Sequence, residues 1–427
     1  MLKEYIQKRL ESSVVKYFKK HPEVKLVAVS GSVGKTSTKV AIATVLSEKF
    51  RVRLHEGNHN NFLSAPLAIL GVEYPENIKS LKQWLAVFRA IKQRINSPTD
   101  VDVVVQELGS DRIGEIAHFS TYLKPDIGVV ASVAPEHMEF FLNLDNVARE
   151  ELGVANFSKH AIINKDDIDG KFAVYMTNNN MNTYGTSATA EYNFVAANYT
   201  IKNGYVGLFN APELPDPMPV TINVMGEHML RPAIAAAAVG AELGMNPSEL
   251  VRGMAKVRPI PGRMNKLRGA ENSTIIDDTY NSSPSAAVSA LREIYKISAP
   301  QRIVVFGDMN ELGATSAEEH KKLGELCDPN SLAWVITVGP QSMQFLAPAA
   351  RIRGCQVRSF DNAITAGAFV HAVLEKGSVV LFKGSEGGVY LEEAVKLILH
   401  SSEDEKQLVR QSDIWKSRKR KFFSRFS

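Results

Sequence analysis

Of everything in these 427 residues, the stretch KLVAVSGSVGKTST, from Lys25 to Thr38, limits the fold most. Leu26 to Val29 make an apolar run of the length of a buried parallel strand; it stops at Ser30-Gly31, and a helical pattern runs from Thr36 to Leu46. Strand, tight turn and helix therefore follow directly on one another. Gly31 and Gly34 let the backbone close around a ligand, the helix N-terminus aims amide groups and a partial positive charge into the turn, and Lys35 adds a full charge. Such a turn suits a polyphosphate, with the Thr36 hydroxyl placed for the magnesium ion that accompanies a nucleotide. Val29 stands where the common G-x-x-x-x-G-K-[ST] loop has its first glycine, so the loop is the shorter G-x-x-G-K-T, which alone leaves many nucleotide enzymes open. Gly31, Ser32, Gly34, Lys35, Thr36 and Ser37 are the candidate nucleotide-binding set.

The chain is too long for one core, so two or three domains are expected. VDVVVQEL at 101–108, IGVVASV at 127–133 and HAIINKDD at 160–167 alternate with helical stretches, the pattern of a parallel sheet with helices on both faces. Residues 191–225 read as inserted β-hairpins, and helix resumes at His228 to Leu243. VRPIPGRMNKL, with Pro259, Pro261 and Gly262, is a turn-rich junction. A second α/β pattern follows, with strands at STIIDDTY, QRIVVFGD, AWVITVG and SVVLFKGS. Their carboxyl ends carry Asp277, Asp278, Asp308 and Lys383, at the edge where open α/β sheets bind ligands. The expected organisation is a helix over 1–22, a phosphate-loop α/β domain with a parallel sheet over 23–260, a Rossmann-like α/β domain over 261–400, and a basic tail over 401–427.

Leu2, Ile6, Leu10, Val14 and Phe18 recur near helical spacing, so an amphipathic helix packed on the first domain is expected over 2–19, a membrane-surface helix being the alternative, and not a signal peptide. The longest apolar candidate, AIAAAAVG, is too short to span a membrane, and a cytoplasmic location is expected. The formal net charge of +4 sits largely in the last dozen residues and gives no case for nucleic acid. Cys327 and Cys355 are too few for a disulfide framework or a thiolate zinc site. The end, WKSRKRKFFSRFS, sets six Lys or Arg among Phe422, Phe423 and Phe426, and reads either as a disordered, solvated tail or as a weak contact with anionic lipid.

GSVGKTSTK, EGNHNN with Pro66, QELGSDRIGEI, PEHMEFF, PGRMN, IIDDTYNSSPSA, FGDMNELG with His320, and LFKGS, in that order, resemble the Mur ligases over about Leu26 to Leu399. Within that family they look most like the branch that adds D-alanyl-D-alanine to a muramyl tripeptide. The resemblance implies an ATP- and Mg2+-dependent amide-bond ligase of peptidoglycan precursor synthesis, monomeric, with a muramyl peptide and D-Ala-D-Ala as substrates. ATP would phosphorylate a carboxylate to an acyl phosphate, which the amine then attacks. Bringing two anions together demands concentrated positive charge. The resemblance gives catalytic parts to Lys35, Glu107, His137 and Arg263, metal binding to Thr36, Glu107 and His137, and nucleotide contacts to Arg263, Asp278 and Asn281. It places Asn58, Asn60, Asn61, Asp308, Glu311, Lys383 and Ser385 toward the substrates, in a site split between two domains that close over it. Taken singly, Glu107 reads as a strand-end carboxylate, His137 as a solvated histidine, the Asn-rich loop as a turn, and Asp308 as a helix cap.

Three departures accompany the resemblance. The family carries a uridine-binding domain before the phosphate loop, and here about one helix precedes the strand. NVAREELGVANF stands where the family has a carbamylated lysine, with Glu151 at the lysine position and Glu150 beside it; Glu150 or Glu151 is expected to aid the second metal, a solvated helix face being the alternative. GEHMLRP, from Gly226 to Pro232, replaces an Asn-bearing motif, and Ser64 replaces a glycine. Other functions left open are ligation in another amino-acid polymer, of cyanophycin, poly-γ-glutamate or folylpolyglutamate type, and a non-catalytic nucleotide-binding partner subunit. Retention of Lys35, Thr36, Glu107, His137 and Arg263 argues against the last.

Overall fold

Apolar runs rich in Val and Ile become strands buried on both faces, and these organise two units. The computed structural model describes residues 2–55, 59–201 and 203–426. One unit comprises Met1–Asn223 with Met229–Arg258, the other Val224–His228 with Pro259–Ser427.

The first unit holds β1 (Lys25–Ser30), β2 (Val52–Leu54), β3 (Val103–Glu107), β4 (Ile127–Val130), β5 (His160–Asn164), β6 (Met181–Gly185), β7 (Tyr192–Thr200), β8 (Gly204–Asn210) and β9 (Met218–Ile222). They form one sheet in the order β2-β3-β1-β4-β5-β6-β7-β8-β9. Pairing is parallel from β2 to β7 and antiparallel from β7 to β9, where the expected hairpins lie. β3 and β4 are buried throughout, and β1 everywhere past Lys25, which is why they read as continuous apolar runs; β9 alternates buried and exposed residues, as a sheet with one wet face does.

α1 (Leu2–Lys20) sends Ile6, Leu10, Val14 and Tyr17 into this core. It packs against α3 (Ser64–Leu70) and α4 (Leu81–Asn96), and its Glu11 lies 2.7 Å from His118 Nε2. α2 (Lys35–Leu46) follows β1 and packs on the helix Leu230–Glu242, whose run Ala233 to Ala238 is fully buried. The AIAAAAVG run is thus an interior helix, with small side chains that permit close helix packing. Among the described residues no helix is long and apolar enough to cross a membrane.

The second unit is a six-stranded sheet of β10 (Asn265–Arg268), β11 (Thr274–Asp278), β12 (Arg302–Gly307), β13 (Trp334–Val338), β14 (Val357–Phe360) and β15 (Val379–Lys383). The order is β10-β11-β15-β12-β13-β14, with β10 antiparallel and the rest parallel. Because β15 returns between β11 and β12, register sets Lys383 beside Asp278 on one side and Phe306 on the other. Three strand ends that are distant in sequence thereby share one edge.

The disordered-tail reading is corrected here. Residues 413–423 form a helix docked on the second unit. Lys419 is 3% exposed, with Nζ 2.5 Å from Glu393 Oε1 and 3.4 Å from Glu392 Oε1. Arg410 also pairs with Glu392, at 2.8 Å, and the Phe422 and Phe423 rings lie 5.1 and 6.3 Å from Tyr390. A fully buried carboxylate such as Glu392 requires cationic partners, and the tail supplies both Arg410 and Lys419.

Candidate active site

β1 ends at Ser30 in mid-sheet, between β3 and β4. Gly31 (φ 131°) and Gly34 (φ 88°) then adopt left-handed backbone, and a Cβ on Gly31 would lie 2.7 Å from Ser132 N. The loop is fastened to the segment after β4. Ser32 N–H donates to Ser132 O (3.0 Å), Val33 N–H to Ser132 Oγ (2.8 Å), and Ala134 N–H to Ser32 Oγ (3.0 Å).

Lys35 Nζ donates to the carbonyls of Gly31 and Ser32 and lies 3.5 Å from Glu136 Oε2. Burial works against its charge, yet Glu136, Glu151 and Glu107 outweigh that and push its pKa above the usual lysine range. Thr36 Oγ1 donates to Glu107 Oε2 (3.1 Å), Lys39 Nζ lies 3.4 Å from the same oxygen, and Asn60 Nδ2 donates to Glu107 Oε1 (3.2 Å). Residues from α2 and from the loop before α3 thus converge on one buried carboxylate at the end of β3. Lys39 was not singled out from sequence; its place one turn beyond Lys35 on the same helix face was the available signal.

Glu151 occupies a different place from the expected one. Ser30 Oγ and Gly31 N–H (2.7 Å) both donate to its Oε2, so this carboxylate braces the phosphate loop itself. Burial raises its pKa, against Lys35 and the Ser30 hydrogen bond. Glu150 is buried too, accepting from Ser110 Oγ (3.1 Å), Gly114 N–H (2.8 Å) and Ile116 N–H (2.6 Å), so neither residue lies on a solvated face. His137, at φ 48°, precedes the helix Met138–Phe141; its Nε2 lies 3.3 Å from Asp111 Oδ1 and 3.8 Å from Glu136 Oε1. Among the described residues no three His, Cys, Asp or Glu side chains gather as a metal cage. The Thr36 hydroxyl and the Glu107 carboxylate are hard oxygen donors 3.1 Å apart, a set that fits a Mg2+ ion keeping water and phosphate as its remaining ligands. Asn61 Oδ1 accepts from Leu63 and Ser64 N–H (3.1 and 3.0 Å), the turn role foreseen for an Asn-rich loop, and Asn58 lies outside the described residues.

In the second unit Lys383 Nζ donates to Asp278 Oδ2 (2.6 Å) and to Asn281 O (3.2 Å). Burial lowers its pKa and nearby Arg263 adds to this, while Asp278 resists. The Arg263 guanidinium lies 4.3 Å above the Tyr280 ring, and its buried Nε has no hydrogen-bond partner among the described residues. Asp308 Oδ1 accepts from Ser342 N–H (2.7 Å), in the helical segment after β13 and not in the helix Ser316–Glu325 that follows Asp308 in the chain. Ser385 Oγ donates to Ser282 O (3.1 Å) and accepts from Asn310 N–H (2.9 Å), and Asn281 Oδ1 accepts from Ser282 N–H (2.9 Å). Glu311 follows at φ 63°.

Asp277, the neighbour of Asp278, faces the other way and is fully buried, accepting from Thr279 Oγ1 (2.6 Å) and Gly262 N–H (3.1 Å). Burial pushes its pKa from 3.8 up to about 6, although Thr279 opposes the shift. The folded chain therefore holds this proton more tightly than the unfolded chain. Its contribution to stability is complete below the unfolded value and is lost as pH rises through about 6, a change of about 3 kcal/mol. The unfolding free energy of the wild type minus that of Asp277→Asn, from denaturant titrations, is expected to fall between about pH 4 and about 6 and to level off above; a constant difference over that interval would refute it.

Comparison with known proteins follows the same division. The Mur ligase middle domain matches residues 29–240, and the Mur ligase, glutamate ligase domain matches residues 262–386. The UDP-N-acetylmuramoyl-tripeptide--D-alanyl-D-alanine ligase of Bacillus subtilis (strain 168) is 27% identical over 388 residues, covering 88% of this chain and 76% of that protein. The structure of MurF from Acinetobacter baumannii superposes with a TM-score of 0.75 at 22% identity, over 91% of this chain and 79% of that one. MurF ligase from Thermotoga maritima in complex with ADP superposes with a TM-score of 0.71 at 22% identity, over 94% and 83%. At these identities the structural likeness speaks for the fold.

Proposed function

The chain belongs to the Mur ligase family, and from that premise we propose that it is an ATP-dependent acid–amino acid ligase that adds D-alanyl-D-alanine to a UDP-muramyl tripeptide in peptidoglycan precursor synthesis. One observation carries the reading: a glycine loop closes on a lysine kept charged by three carboxylates, next to a Thr36–Glu107 pair. The name of the Bacillus subtilis relative supports the substrate, and the ADP of the Thermotoga maritima structure supports the nucleotide.

In this reading the loop amides and Lys35 bind and orient the terminal phosphates of ATP. A carboxylate oxygen attacks the γ-phosphorus and ADP leaves. The amine nitrogen then attacks the acyl carbon of the acyl phosphate, inorganic phosphate departs, and the nitrogen gives up a proton to solvent. Thr36 and Glu107 would hold a Mg2+ ion, whose charge, when bound, offsets the repulsion between phosphate and carboxylate. Asn60 would keep Glu107 oriented. Arg263, with a donor left over, would bind a phosphate oxygen, and Lys383 with Asp278 would hold the strand ends that shape the acceptor pocket.

The test is phosphate release by the purified chain with Mg-ATP and UDP-muramyl-tripeptide, with and without D-Ala-D-Ala, read together with product mass. Release and a ligated product are expected only when both substrates are present. Activity with a different carboxylate and amine pair, and none with these, would reject the substrate while keeping the ligase chemistry.

A further inference from the structure

On the second unit, the helix Asp413–Phe423 and the start of the helix Ala363–Val373 border a cavity of about 770 Å³ that no candidate active-site residue lines. Ile364, Phe423 and Phe426 give it an apolar side, and Lys396, Lys416, Lys419 and Arg420 a cationic one that also holds Glu393. These cations are not equivalent. Lys396 is committed to Glu393 (2.9 Å) and Glu405 (3.6 Å), as Lys419 is to Glu392 and Glu393. Lys416 and Arg420, one turn apart and exposed, have no carboxylate within salt-bridge distance among the described residues.

The rest of the helix is also basic, although its helical spacing turns Ile414, Arg418, Lys421 and Arg425 away from the cavity. Arg418, Lys421 and Arg425 are exposed, Asp413 is the sole acid between 413 and 426, and the apolar side chains of Ile414 and Phe426 remain 68% and 45% exposed. Lys416 and Arg420 beside an apolar-sided groove, with Phe426 left half-exposed, match an anionic amphiphile. A small free anion would use the cations and leave the apolar surface without a partner.

We propose that this groove and helix face dock on an anionic phospholipid surface. Headgroup phosphates meet Lys416 and Arg420, the first acyl carbons lie along Ile364, Phe423 and Phe426, and Arg418, Lys421 and Arg425, on the other side of the helix, add only a longer-range attraction. The proposal does not depend on which substrates the ligase joins.

The experiment is co-sedimentation of the full chain with vesicles of phosphatidylcholine alone or mixed with phosphatidylglycerol. Binding is expected only to the mixed vesicles and is weakened by salt. The double variant Lys416→Ala/Arg420→Ala should bind about 30-fold more weakly, and Lys416→Ala alone, the fallback if the double variant folds poorly, about 5-fold. Phe426→Ser should weaken binding without changing its salt dependence. Both cation variants should keep the wild-type rate of phosphate release. Equal binding to neutral vesicles, or undiminished binding by the cation variants, would overturn the proposal. Displacement by inorganic phosphate in proportion to site occupancy would also overturn it, by identifying a small-anion pocket.

Discussion

Lys35→Met is expected to cut substrate-dependent phosphate release by about three orders of magnitude. The side chain is 12% exposed and its ammonium group sits among Gly31 O, Ser32 O and Glu136, so its charge acts in a low dielectric where no solvent cation can replace it. Removing it also takes away the shared cation of Glu136, Glu151 and Glu107, of which Glu107 keeps Lys39. Anion binding should therefore fail in the ground state as well as in the transition state, and calorimetry with an ATP analogue should show weaker binding alongside the lost rate. Lys35→Arg is not a rescue, because a planar guanidinium does not fit where a compact ammonium bonds two carbonyls of its own loop. A Met variant that retains release within tenfold of wild type would remove the loop from the reaction.

Lys383→Met should destabilise the second unit by about 4 kcal/mol, because it leaves Asp278 as an unpaired charge in the interior. The side chains of this pair are 2% and 7% exposed, so water cannot take over the lost contact. For a unit of this size the midpoint of thermal unfolding should drop by about 10 °C. Adding Asp278→Asn should restore most of the loss: the amide oxygen still accepts the Met264 N–H bond that Asp278 Oδ1 holds at 3.2 Å, and no charge remains buried. Scanning calorimetry of wild type, both single variants and the double variant would measure the coupling. A double variant no more stable than Lys383→Met would show that the pair is not what holds these strand ends.

What the sequence by itself determined lies in local patterns. The strands β1, β3, β4, β11, β12, β13 and β15 were legible because burial on both faces makes them continuous apolar runs, and the phosphate loop because strand, glycines, Lys35 and helix are adjacent in the chain. β6, β10 and β14, reading MNTYG, NKLR and VRSF, were not legible, since they are short, partly exposed and held by their neighbours. Only the tertiary structure decided which groups meet. Lys39 and Asn60 reach Glu107 across sheet neighbours, Glu151 crosses 120 residues to brace Gly31, and parallel register sets Lys383 against Asp278. It also turned the basic tail into a docked helix, because a buried Glu392 far upstream requires the cations that Arg410 and Lys419 bring. Periodicity and turn chemistry are written between residues a few positions apart, whereas a buried charge finds its partner wherever the fold brings one, at a separation that no local pattern encodes.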